Sequence, residues 1–111
     1  MRIERELLKG AAPIAVLQIL SRGAIYGYEL GQAIEKKSGG ILTFGHGTLY
    51  PLLYNLEARG LVCTEWQQAA SGRERRYYSI TDKGKTHLAE RRAQWEQLST
   101  AMKLIFESAT A

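Results

Sequence analysis

The segment SGRERRYYSIT, residues 71–81, places Arg73, Arg75 and Arg76 directly after Gly72 and follows them with Tyr77 and Tyr78. Guanidinium groups gathered at a turn have no core to serve, and their planar forks suit phosphate oxygens. A second polar set lies upstream. Thr48, Tyr50, Tyr54 and Asn55 put hydroxyls and an amide on the outer face of a leucine-striped segment, together with Gly47 and Pro51. Groups of this kind hold phosphates or read base edges. His46, just before them, could meet a phosphate or a base. Tyr26 could offer its hydroxyl to a phosphate beside the first amides of the helix that follows it. Covalent and metal chemistry find no footing. Cys63 is the one cysteine, nothing near it in sequence would activate it, and it reads as a small structural residue. His46 and His87 have no second ligand at metal spacing. No nucleophile elbow, phosphate loop or paired carboxylates occur, so the chain reads as a non-enzyme without metal or cofactor.

The elements that must position these groups follow from periodicity. The chain has 111 residues, 45% hydrophobic and 23% charged, which fits one globular domain and argues against disorder. Between residues 73 and 92, seven basic side chains face three acidic ones, so this stretch carries the whole formal net charge of +4. Charge alone fits a solvated face equally well. The longest apolar run, from Ala11 to Leu20, is broken by Pro13 and Gln18 and cannot span a bilayer. No secretion leader is legible, and a lone cysteine suits a reducing compartment, so a cytoplasmic location without membrane contact is expected.

From Glu4 to Leu20, Leu7, Leu8, Ala11, Ile14, Ala15, Leu17 and Leu20 recur at helical spacing. Pro13 leaves open whether this is one helix or two. A second helix is expected from Tyr28 to Lys37, stopped at Gly39 and Gly40. The third carries Leu49, Leu52, Leu53 and Leu56 and stops at Gly60; it begins near Gly45 or, with Thr48 near the cap, at Pro51. After Leu61 the period becomes two. Val62, Thr64 and Trp66 alternate with polar positions, a turn follows at Ala70 to Gly72, and Tyr77 to Ile80 return as a second strand. Tyr78 and Ile80 are expected to face inward near Trp66, and Tyr77 outward with Arg75. Thr81 caps a last helix, Asp82 to Phe106, on which Leu88, Arg91, Trp95, Leu98, Met102 and Ile105 alternate spacings of three and four. Such a stripe seeks a partner helix.

Three helices followed by a two-stranded hairpin make a winged helix-turn-helix, with the arginine-bearing hairpin as the wing. The fold expected is mainly α with a small β-hairpin. Residues 1–81 would form the DNA-binding unit and 82–111 a dimerisation helix in the same compact body.

LLKGAAPIAVLQIL, YGYEL, GTLYPLLYNLEARGLV, SGRERRYYSIT and DKG, in that order and covering roughly Leu7 to Gly84, resemble the PadR family of transcriptional regulators. The short tail resembles the compact branch, with a single C-terminal helix. The resemblance implies a homodimeric regulator, usually a repressor, that binds a pseudo-palindromic double-stranded operator and releases it when a small molecule binds. The third helix would be the recognition helix. Gly45 and His46 stand where relatives commonly carry a capping polar residue and an acidic one. Leu7, Leu8 and Ala11 of the first helix would join the stripe from Leu88 to Ile105 in the dimer interface. Trp95, with Arg91 and Arg92 as a charged rim, would anchor that interface or stack on a small aromatic or apolar effector. Two other functions compete: a winged-helix protein-interaction module, against which the wing arginines argue, and a small-molecule sequestering protein built on Trp95.

Overall fold

The computed structural model describes residues 2–109, and within them four α-helices surround a three-stranded antiparallel sheet. Helix α1 (Arg5–Leu20) runs unbroken through Pro13. The proline removes the amide that would reach the Lys9 carbonyl. Ala12, Val16, Leu17, Ile19 and Leu20 are nevertheless buried on both sides of it, and burial of that face outweighs one lost bond.

Strand β1 (Ile25–Tyr26) was not expected. It pairs with the return strand of the hairpin, Ile25 opposite Tyr78 and Tyr26 opposite Tyr77, so the sheet has three strands rather than two. Two residues show no alternation, which is why periodicity misses them. A 3₁₀ turn (Gly27–Glu29) then leads into α2 (Leu30–Lys37), which starts two residues later than expected. The glycine of YGYEL has a steric reason: a Cβ on Gly27 would lie 2.8 Å from Cε2 of the buried Tyr78 ring.

Helix α3 (His46–Ala58) has Gly45 as its N-cap and contains Pro51, which settles where it begins. No side chain caps it; the Thr48 and Leu49 amides both donate to the Gly45 carbonyl at 3.0 Å. Leu49, Leu53 and Leu56 are fully buried. Each such burial contributes about 1.5–3 kcal/mol, enough together to fix the rotation of α3 about its axis and so which residues face out.

Strands β2 (Val62–Gln68) and β3 (Glu74–Ile80) form the hairpin, with Gln68 opposite Glu74 and residues 69–73 as the tip. Tyr78 is buried on the inner face and Ile80 half-buried beside it. Trp66 shares that face, opposite Arg76, but lies beyond the core and is 61% exposed, so it does not pack near Tyr78 as expected. Cys63 is exposed too, on the outer face of an edge strand, and not a packed structural residue.

Helix α4 (Asp82–Phe106) opens as its cap residue predicts. The Thr81 hydroxyl accepts from the Gly84 amide at 2.9 Å and donates to the Gly60 carbonyl at 2.7 Å. Gly84 is needed because a Cβ there would collide with the Leu61 carbonyl oxygen. Leu88 sits in the core, and every described residue after it is exposed. At 1.5 Å per residue α4 projects about 27 Å from the body, which gives extents of 63 × 31 × 21 Å.

Candidate nucleic-acid interface

With Leu49, Leu53 and Leu56 turned inward, the opposite ridge of α3 is Gly47, Pro51, Tyr54 and Ala58, all exposed. Thr48 and Asn55 border this ridge on one side and are exposed. His46, Tyr50 and Glu57 border it on the side of the sheet. Tyr50 is half-buried and packed against the core, whereas Tyr54 is open to solvent. Burial is the main cause that lifts the Tyr50 hydroxyl above its ordinary pKa, with Tyr26, Tyr54 and Tyr28 adding to it. The phenol therefore remains a neutral donor at physiological pH.

The first turn of α3 is joined to the sheet by rings. His46 lies 4.8 Å from Tyr28 and 5.6 Å from Tyr50 between ring centroids. Tyr28 stacks on Tyr26 at 6.0 Å, and Tyr26 meets Tyr77 at 5.9 Å across β1 and β3. Arg75 lies over the Tyr26 ring at 4.8 Å. Tyr26 is thus a half-buried strand residue whose ring lies under a guanidinium, and it stands at the N-cap of the 3₁₀ turn Gly27–Glu29. Tyr28 is exposed and bridges Tyr26 to His46.

The three arginines have three different settings. Arg73 is in the tip and exposed. Arg75 and Arg76 lie on β3, on opposite faces, and not at the tip itself. Arg75 shares the outer face with Tyr77. Arg76 points inward, where its Nη2 donates to both carboxylate oxygens of Glu57 at 3.2 Å and to the Thr64 hydroxyl at 3.3 Å. Its guanidinium lies over the Tyr78 ring at 5.5 Å. Burial raises the Tyr78 pKa, the Arg76 cation opposes that, and Glu57, Tyr54 and Tyr50 add to it. The cluster read from sequence as three free cations is therefore two outward-facing side chains and one engaged within the chain. Glu57 and Thr64, its partners, carried no signal, since their relation exists only once α3 and β2 are folded together.

The α4 stripe also divides. Leu88 belongs to the chain's own core and not to a free surface. Arg92 donates to Gln18 at 3.1 Å, tying α4 to α1, and Arg91 reaches His87 and Gln94. Beyond them Trp95, Leu98, Met102 and Ile105 are exposed, as are Leu104 and Phe106. Leu7 is 74% exposed, while Leu8 and Ala11 are half-buried. A groove of about 200 Å³ lies nearer the body, between Pro13, Ile14 and Leu17 of α1 and His87 and Arg91 of α4. No helix among the described residues is long and apolar enough to cross a membrane.

Helices α2 and α3, the sheet that flanks them and the arginines beside the α3 ridge define the winged helix-turn-helix class. Within that class, the model of the Transcriptional regulator PadR-like family matches residues 16–90, and the chain belongs to that family of transcriptional regulators. It is 34% identical over 95 residues to the transcriptional regulator Rv3488 of Mycobacterium tuberculosis, covering 86% of this chain and 85% of that one. It superposes on a PadR family regulator from Eggerthella lenta with a TM-score of 0.81 and 35% identity, covering 93% of this chain and 88% of that one. A PadR-like regulator from Bacillus cereus gives a TM-score of 0.81 at 31% identity, covering 93% and 98%.

Proposed function

We propose that the chain is a DNA-binding repressor that acts in the cytoplasm as a homodimer on a pseudo-palindromic operator. The observation that carries this reading is the α3 ridge with its polar border, Thr48 and Asn55, next to a wing that presents Arg73 and Arg75 outward. A helix of this exposure fits a major groove, and the wing cations suit the flanking phosphates. The exposed stripe from Trp95 to Ile105 supports dimerisation: a helix this apolar on one side is stable in water when a second copy covers it. Leu7, Leu8 and Ala11 would extend the interface. An aromatic or apolar effector would bind between the two Trp95 rings and change the spacing of the two α3 helices. It shifts DNA affinity only by its differential affinity for the two spacings; a tenfold loss requires about 1.4 kcal/mol.

Selection from a random double-stranded DNA pool tests the reading. A dimer that enriches a two-fold related sequence supports it, and enrichment of no sequence contradicts it. Titrating planar aromatics against the selected site while following tryptophan emission, in a Trp66→Phe background, then tests the effector. Equal binding to a Trp95→Ala dimer would place the pocket elsewhere.

A further inference from the structure

We propose that Arg76 is a positioning residue that sets the angle of the wing against the recognition helix, through Glu57 and Thr64. The inference rests on the DNA-binding reading above and assigns part of its geometry. Three elements meet at one point. Glu57 comes from α3, Thr64 from β2 and Arg76 from β3, and each touches the other two: Arg76 to Glu57 at 3.2 Å, Arg76 to Thr64 at 3.3 Å, Thr64 to Glu57 at 3.3 Å. A closed triangle fixes an angle where a single bond would allow a swing. The guanidinium is also held from the sheet side, over the ring of Tyr78, which is itself 2% exposed. Its Nε is buried without a hydrogen-bond partner, so the inner part of the group is seated by the fold while the side chain as a whole stays 31% exposed.

The position of this clasp along the hairpin gives it leverage. Among the described residues no hydrogen bond or ion pair joins α3 to the hairpin nearer its tip. Trp66, opposite Arg76, is open to solvent, and the strands continue only to the Gln68–Glu74 pair. Arg73 lies three residues past Arg76, about 10 Å along the strand. Phosphate contacts tolerate little displacement, so a wing free to swing at Arg76 would carry Arg73 and Arg75 off their partners.

A direct DNA contact by Arg76 makes the opposite prediction for Glu57. Glu57 would then be only a negative charge beside a polyanion, and its removal would strengthen binding. If it is half of a clasp, its removal weakens operator binding although the protein becomes more positive. The experiment compares the parent with Glu57→Ala, Glu57→Gln and Arg76→Lys, each checked for helical content by circular dichroism. Glu57→Ala is expected to weaken the selected operator by about fivefold or more, as for groups in one network. Glu57→Gln, which keeps an acceptor, should recover part of that loss. Arg76→Lys keeps the charge without the planar fork and should also weaken binding. Independently of DNA, residual dipolar couplings of the free protein should fit α3 and the hairpin as one rigid body in the parent and fail to do so in Glu57→Ala. The proposal is overturned if the couplings of Glu57→Ala still fit one body, or if that variant binds the operator as tightly as the parent or more tightly. A parent that binds no DNA contradicts the regulatory reading, and the couplings then decide the clasp alone.

Discussion

On the proposed reading Arg75 would meet a phosphate and Thr48 a base edge, and single substitutions would separate the two kinds of contact. Arg75 faces outward over Tyr26; if it meets one phosphate per protomer, Arg75→Ala removes two contacts per dimer. The slope of log K against log salt should then shrink by about two, alike on operator and random DNA. Thr48→Ala or Asn55→Ala should weaken the operator by about 1–3 kcal/mol per lost base contact and leave random DNA nearly unchanged. A wing substitution that altered only sequence preference would reverse these roles. At His87 the issue is pH. Burial is the main cause that lowers its pKa, with Arg59 and Arg91 adding to it, Glu90 opposing and Lys83 adding a little. The folded protein thus takes up this proton less readily than the unfolded chain, whose histidine titrates near 6.5. Above that pH both states are neutral and stability is unaffected. As pH falls through 6.5 toward the folded value, the unfolded state gains the proton first and stability drops. His87→Gln should flatten this drop between pH 7.5 and 5.5 in thermal melts; an unchanged drop would remove His87 from the account.

At the scale of elements, much of the architecture was legible because burial and period agree. The leucines of α3, the alternation in β2 and the Thr81 cap each leave a local trace, and those elements lie where they predict. Three features left none. Strand β1 is too short to alternate and exists because Tyr78 and Tyr77 offer it an edge. Trp66 alternates correctly, yet the core ends one pair earlier, at Thr64 and Tyr78. The alternation that turns Tyr78 inward and Arg75 outward also puts Arg76 on the inner face, but nothing in the sequence shows that Glu57 and Thr64 meet it there. The α4 stripe has its own test. Leu98 is 56% exposed in the single chain, and a homodimer would bury it twice by symmetry. Leu98→Asp would bury an unpaired carboxylate in an apolar seam and should weaken the dimer by about two orders of magnitude. Sedimentation at micromolar concentration should show monomers, and an intact dimer would remove α4 from the interface.

For the whole molecule the body is small, the charge is concentrated between residues 73 and 92, and a long arm with one apolar stripe leaves the side formed by α1 and the start of α4. Two copies joined along that arm would present two α3 ridges on one side. In the proposed dimer, both specificity and any effector response would depend on their separation. Helices that enter successive major grooves on one side of B-DNA lie about 34–36 Å apart, or 10–10.5 base pairs. Hydroxyl-radical footprinting of the selected operator reads this spacing directly. Two equivalent protected blocks related by two-fold symmetry are expected, with centres one helical turn apart and outer edges that lose protection in Arg73→Ala. A single protected block, or blocks whose spacing does not correspond to whole turns of DNA, would contradict this arrangement.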